Sequence, residues 1–427
     1  MMINSDILIS AEQDQRKLHA ERFAVFSEQL SSEGVDVEAL VAELMALEIE
    51  VPSWALGTGG TRFGRFPIGG EPGDLFQKIE DVSLLKTLTA SVGSISLHIP
   101  WDIPKDSAAI VQLLKEYDLR IDSVNSNTFQ DYGDPDVSYK FGSLCHTDAG
   151  VRRKAVDHNI EVIRYGEALH ARILTVWLSD GSDFPGQHNF RRAYSRTLDS
   201  LALLYEQMPS QWNMLVEYKP YEPHFYSMVI PDWGTSLALS QSLGNNAKVL
   251  VDLGHHLPNT NIEQIVSRLM LFGRLGGFHF NGSMYGDDDL TTGSIKPYQL
   301  FLIFHELNDG MKDNSVPAAS PAWMIDASHN IKDPLEDLIQ SCLNIRTAYA
   351  KALLVDRAML HGAQEANDVV MAEEIMQKAF QCDVRPLVRE AMVRKGGSVD
   401  PIVAYRKFEV RKNLIKSRGA RSVATGL

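Results

Sequence analysis

Eight short apolar or alternating runs, each bounded by turn residues and separated by helical patterns, constrain this chain more than any other feature. They are IEVPSWAL at 49–56, SISLHIP at 94–100, RIDSVNSN at 120–127, ARILTVWL at 171–178, NMLVEYK at 213–219, AKVLVDLG at 247–254, LGGFHFN at 275–281 and AWMIDAS at 322–328. Between them lie stretches such as DLFQKIEDVSLLKTLTA, VRRKAVDHNIEVIRYGEALHA, FRRAYSRTLDSLALLYEQM and NIEQIVSRLMLFG, with apolar residues three and four apart. Such alternation implies parallel strands joined by helical crossovers. Eight strands close a barrel, whereas doubly wound sheets have about five to seven. The sequence therefore predicts an α/β protein, a (β/α)8 TIM barrel within residues 1–355, preceded by two amphipathic helices at 1–47 and followed by a helical extension at 356–427 at a subunit interface. One barrel of about 250 residues with helical additions accounts for the 427 residues.

The polar residues of these runs gather at one end. Trp54, His98, Asn125, Asn127, Trp177, Glu217, Lys219, Asp252, His279 and Asp326 all fall at the C-terminal ends of the predicted strands. In a barrel those ends converge on the mouth where active sites lie. Wet loops explain one or two polar strand ends, but explain Glu-Tyr-Lys, Val-Asp-Leu-Gly-His-His and Phe-His-Phe-Asn together poorly.

Composition removes several other classes. A net charge of −14 opposes binding to polyanions, which depends on clustered Lys and Arg. The basic run at the C-terminus is read as a solvated or subunit-contacting helix. Cys145, Cys342 and Cys382 have neither metal-finger spacing nor a CxxC pair, which predicts a reducing, cytoplasmic setting. With no signal-peptide-like start and no run of about 18 apolar residues, neither secretion nor membrane insertion is expected. The glycine-rich GTGGTRFGRFPIGGEPGD after the first strand lacks both a correctly spaced dinucleotide fingerprint and a Walker sequence, so no nucleotide cofactor is predicted. It reads as a mobile lid carrying Phe63 and Phe66.

Glu217 and Lys219, two apart on a strand, point to the same side. Asp252, His279 and Asp326 end the next three strands, so three carboxylates and an imidazole surround one point. Clustered carboxylates in a partly dry cavity are costly, and a divalent cation is the ordinary compensation. A second set lies just beyond: His255, then Asp287 and Asp289, which would point together from an extended Asp-Asp-Asp segment with Asp288 outward, while Glu217 bridges the two ions. Oxygen ligands with some imidazole suit Mn²⁺, Mg²⁺ or Co²⁺ and argue against a thiolate zinc site. Taken singly, each has a plainer reading: a core histidine, a solvated acidic triplet, an ion pair.

Over nearly its full length the chain resembles the L-rhamnose isomerases, specifically the broad-specificity bacterial subgroup related to the xylose isomerases. The resemblance rests on VEYKP at 216–220, VDLGHH at 251–256, FHFN with DDD at 278–289 and MIDASH at 324–329. It implies a structural metal held by Glu217, Asp252, His279 and Asp326, and a catalytic metal held by Glu217, His255, Asp287 and Asp289, with Mn²⁺ the first expectation. It also implies a sugar pocket shaped by Trp54, His98, Trp101, Phe129 and Trp177, with Lys219 at the substrate, and a homotetramer. Stacking of sugar C–H faces on aromatic rings makes such a pocket physically reasonable.

The activity so implied is aldose–ketose isomerisation of L-rhamnose, extending to aldoses such as D-allose and its ketose. In a hydride shift the acidic residues mainly hold metal, which polarises the carbonyl. In an enediol route a carboxylate moves the C2 proton, and Asp326 is the residue to test, with Lys219 stabilising charge and His98 acting on the ring oxygen. The hydride shift is preferred because the ligand set consumes most nearby carboxylates. The alternatives are an isomerase or epimerase of another sugar, a metallo-nuclease on a similar barrel, and a non-catalytic sugar-binding relative.

Overall fold

A computed structural model describes residues 3–57, 66–131, 136–222 and 227–421. Eight parallel strands close into a barrel in chain order: Ile49–Pro52, Val92–Ile99, Arg120–Ser126, Ile173–Val176, Asn213–Glu217, Ala247–Asp252, Leu275–Phe280 and Ala322–Ile325. Each predicted run overlaps one of them, and the second strand begins two residues before its run. On the C-terminal side every strand ends one to four residues before its run does. Thus Trp54 lies in a 3-10 turn, Ser53–Leu56, after the first strand rather than within it.

Side-chain caps begin most of the crossover helices, as the sequence chemistry requires. Asp74, Asp148, Asn189, Asp232 and Asn261 each accept a backbone N–H in the first turn of Leu75–Thr89, Ala149–Ala168, Phe190–Gln207, Trp233–Leu243 and Ile262–Leu271. The final crossover helix, Pro334–Leu353, is capped by Asp333 and has proline in its first turn, where a missing N–H costs nothing. Ahead of the barrel stand three helices rather than two, because Glu12 interrupts the periodic stretch between Ser5–Ala11 and Gln13–Ser32; Val37–Ala46 follows. After Val355 come Arg357–Glu365, Val369–Gln381, Arg385–Arg394, Pro401–Lys407 and Val410–Arg418. Among the described residues no helix is long and apolar enough to cross a membrane.

Strand alternation sorts side chains between core and barrel interior. Phe278 and Phe280 stack on each other at 5.1 Å and continue onto Phe304 at 5.4 Å, outside the barrel, which turns His279 inward. Tyr218 likewise faces out, its hydroxyl 2.7 Å from His256 Nε2, leaving Glu217 and Lys219 to the interior. Below them Leu215, Leu250 and Met324 fill the barrel as a small buried cluster of their own.

Candidate metal centre and sugar pocket

At the C-terminal mouth a cavity of about 290 Å³ is lined by residues from the ends of all eight strands or the loops after them, among them Trp54, His98, Asn125, Trp177, Glu217, His255, His279 and Asp326. Aligned register puts Asp252 beside His279. Glu217 Oε1 lies 3.1 Å from His279 Nδ1 and 3.2 Å from His255 Nδ1, between the two sets the sequence separates. Among the described residues, two groups offer ligand atoms within 4.8 Å of one another, Glu217 with Asp252 and His279, and Asp252 with His255 and Asp287. Asp252 thus belongs to both groups, a sharing the sequence reading gives to Glu217.

Asp326 and Asp289 stand outside those tight groups but face the same cavity. Asp326 Oδ1 accepts a 2.9 Å hydrogen bond from Trp54 Nε1. The acidic loop is not extended: Asp289 has φ of 48°, and Asp288 folds back to accept from the backbone N–H of Met284 at 2.7 Å. This turn, not strand-like alternation, aims Asp287 and Asp289 at the cavity while Asp288 ties its own loop. Gly254 leaves room for them, since a Cβ there would sit 2.9 Å from Asp287 Oδ1.

Several observations fit a divalent cation. Asp252 is fully buried, and its Oδ2 has no hydrogen-bond partner, with His279 Nδ1 3.6 Å away. Asn281 Nδ2 and the Gly254 N–H hold the other oxygen at 2.9 and 2.6 Å, which fixes the carboxylate's direction. The Tyr218 carbonyl lies 3.0 Å from His255 Nδ1, leaving Nε2 toward Asp287 at 3.3 Å. Electrostatics agree. Burial opposes charge on His279, yet the carboxylates of Glu217 and Asp326 overcome it and hold the imidazolium well above its usual range. Burial drives the Asp326 carboxyl well above the ordinary carboxylate range, opposed by His279 and reinforced by Asp289, Asp252 and Glu217. A set that recruits a proton to balance its charge is suited to a cation in that proton's place.

The remaining wall is aromatic and polar. Phe129 packs edge-on against Trp177 at 5.2 Å, and Lys219 Nζ lies 5.4 Å from the centre of the Trp177 ring. Trp101 does not line the cavity; it stacks behind Phe129 at 6.1 Å. Nor does Asn127, whose side-chain oxygen accepts from the Gln130 N–H. Lys219 pairs with Asp287 at 2.8 Å and with Glu222. His98 is fixed from below: buried Asp102 accepts from the His98 N–H at 2.8 Å, from Lys78 at 2.7 Å and from Ser53. Burial lowers the His98 imidazole to about 4, against the raising influence of Asp102.

The sequence reading missed Ser126, Gln130, Thr175, Ser179 and Glu222 on this wall. Two left a signal: Thr175 shares the strand face of Trp177, and Glu222 is the acid three residues from Lys219. Part of the predicted lid, residues 58–65 including Phe63, lies outside the described residues. Phe66 is described and 65% exposed.

Residues 91–320 match the family model of the xylose isomerase-like TIM barrel, more than half of the chain. The chain belongs to this family. It is 47% identical to a probable sugar isomerase of Mesorhizobium japonicum over 428 residues, covering 99% of both chains. A probable sugar isomerase of Rhizobium meliloti is 46% identical over 98% of this chain and 97% of its own. An L-rhamnose isomerase of Rhodopirellula baltica is 24% identical over 283 residues, 58% of this chain and 64% of its own. Among solved structures, a D-allulose 3-epimerase from Methylomonas sp. in complex with D-allulose matches with a TM-score of 0.51 at 15% identity, covering 70% of this chain and 95% of that one. A D-tagatose 3-epimerase-like protein matches at 0.50, also at 15% identity, over 70% and 98%. The helices before the barrel and those after Val355 lie outside residues 91–320.

Proposed function

We propose that this protein is a divalent-metal-dependent sugar isomerase interconverting an aldose and a ketose, with L-rhamnose as the first substrate to test and D-allose the second. The observation that carries the reading is the convergence of Glu217, His279, His255 and Asp287 on one cavity walled by Trp54, Phe129 and Trp177, with buried Asp252 within ligand distance of both groups. The full-length relatives named as probable sugar isomerases support the reaction class, and the more distant L-rhamnose isomerase supports the sugar. A cavity of about 290 Å³ suits one monosaccharide, near the lower end of the usual range for ligand pockets.

Glu217, Asp252, His279 and Asp326 would hold one ion, and Glu217, His255, Asp287 and Asp289 the other. When bound, divalent ions supply Lewis acidity toward the sugar's carbonyl and hydroxyl oxygens. The chain's own groups orient the substrate. The indole and phenyl faces of Trp54, Phe129 and Trp177 pack on sugar C–H groups and exclude water, while Asn125 and Thr175 offer polar atoms to hydroxyls. His98, neutral near pH 7, accepts or passes the proton released when the ring opens. Lys219 steadies negative charge developing on a substrate oxygen.

In the hydride shift, the C2–H bond breaks with its electron pair, which forms the new C1–H bond, and the O2 proton passes to O1. Asp326 then acts as a ligand and partner of Trp54, whereas in an enediol route it would take the C2 proton. Sugar deuterated at C2 distinguishes them: retention of label in the product is expected, and extensive washout into solvent would remove the hydride route.

The deciding experiment is conversion of L-rhamnose and D-allose by chelator-stripped protein, with and without added Mn²⁺. Turnover restored by metal is the expected result, and the ratio of the two rates ranks the substrates. Metal binding without turnover of either sugar would overturn the substrate choice, and absence of metal binding would overturn the site itself.

A further inference from the structure

The C-terminal helix Val410–Arg418 is basic in sequence and reads as solvated or subunit-contacting, yet the arginines at its two ends, Arg411 and Arg418, are largely buried against Asp333 and Asp81. Arg411 makes a two-pronged pair with Asp333, Nη2 to Oδ1 at 2.7 Å and Nε to Oδ2 at 2.9 Å, and its Nη1 also donates to the Gly69 carbonyl at 3.2 Å. A guanidinium can grip a carboxylate with two prongs and still donate to a second loop, whereas a lysine offers only a point charge without the planar fork. Arg418 donates to buried Asp81 at 2.8 Å and to the Gly70 carbonyl at 3.4 Å.

The backbone joins in. The Gly70 N–H donates to the Gly419 carbonyl at 3.0 Å, and a Cβ on Gly70, whose φ is 74°, would lie 2.6 Å from Ile415 N. Only a glycine permits so close a seat for the helix.

These contacts meet at a junction of loops that carry the site. Gly69 and Gly70 belong to the stem of the loop after the first strand, and the Phe66 N–H in that stem donates to the Asn330 carbonyl at 3.1 Å. Asn330 lies four residues after Asp326, in the loop that ends at Asp333. In the same loop the Ser328 N–H donates to the Asp289 carbonyl at 2.8 Å. Loops one, seven and eight, which bring Trp54, Asp289 and Asp326 to the cavity, are thus bonded to one another, and two of them directly to Arg411.

We propose that the C-terminal helix is a clasp that sets the geometry of this loop junction, with Arg411 as a positioning residue for the site at the barrel mouth. Its action on turnover rests on the isomerase reading above; its action on the loops does not. Small displacements of cavity groups carry large kinetic penalties, about a hundredfold for 1 Å in unfavourable cases.

The test uses the full-length protein and Arg411→Ala, Arg411→Lys and, as control, Arg406→Ala, whose exposed pair with Glu336 touches neither loop. Hydrogen exchange of peptides spanning 66–70 and 327–332 is measured alongside kcat and KM with Mn²⁺ present. Arg411→Ala is expected to speed exchange in both segments about tenfold or more and to lower kcat about tenfold, Arg411→Lys to fall between, and Arg406→Ala to match the parent. Unchanged exchange in Arg411→Ala, or equal losses in Arg406→Ala, overturns the clasp. Should the alanine variant not fold, Arg411→Lys carries the same comparison. If the parent turns over neither sugar, the substrate choice fails and the exchange data alone decide the clasp.

Discussion

Glu50 sits inside the barrel at the end away from the mouth, beside the first residues of several strands. One oxygen accepts from the Ser123 N–H and hydroxyl, both at 2.9 Å, and the other has no hydrogen-bond partner. Burial, reinforced by Asp122, raises its carboxyl from 4.5 to about 8. A raised acid binds its proton more tightly in the folded state, so the stability it permits is fully present below pH 4.5 and is lost as pH rises through 8. Glu50→Gln should therefore remove this loss and gain roughly 1–3 kcal/mol over the parent near pH 8. Parallel stability curves for the two proteins in denaturant between pH 5 and 8 would contradict it. At the mouth, Asp326→Asn keeps an acceptor for Trp54 but removes the charge. It should lower kcat by about 10²–10⁴-fold while near-UV dichroism stays unchanged. At this scale the sequence was informative wherever strand alternation decided direction: His279 between two outward phenylalanines and Glu217 beside outward Tyr218 could be aimed by counting. Asp102, Lys78 and Ser53 beneath His98 could not, because they come from three different elements.

Helices and strands were legible because their periods are written in the chain. Even so, the N-terminal region divides into three helices because Glu12 sits at the junction of two, a local break that average periodicity conceals. Loops obey no period. The Asp287–Asp289 segment reaches the cavity through a left-handed residue and a side chain folded onto its own backbone, neither of which alternation predicts. If this loop supplies the second metal set, a double variant Asp287→Asn with Asp289→Asn should bind one Mn²⁺ where the parent binds two. Isothermal titration checks this, and two full-affinity sites in the variant would remove the loop from the ligand set. Gly254→Ala should weaken the same site most, since its Cβ would press on the Asp287 carboxylate at 2.9 Å and less closely on Asn281 at 3.2 Å.

For the molecule as a whole, carboxylates gathered from three strand ends and a loop repel one another, so an ion that binds only the folded state should stabilise it. Mn²⁺ at about a hundredfold over its dissociation constant contributes about 2.7 kcal/mol, and chelation should lower the melting temperature by several degrees. Scanning calorimetry with and without chelator tests this, and identical transitions would indicate that the site holds no ion. We expect a homotetramer whose contacts include the extension, where Met359, Val369 and Val370 are exposed apolar residues; sedimentation velocity on the intact protein reads the number of copies directly. The sequence by itself determined the barrel, the order of its strands and much, though not all, of the residue set at its mouth, because hydrophobic period and strand-end chemistry are local. Tertiary structure alone decided that Asp252 serves both ligand groups, that Trp101 stands behind Phe129, and that the C-terminal arginines grip the loops at the mouth. Those outcomes depend on distances between elements far apart in the chain, and no local pattern encodes them.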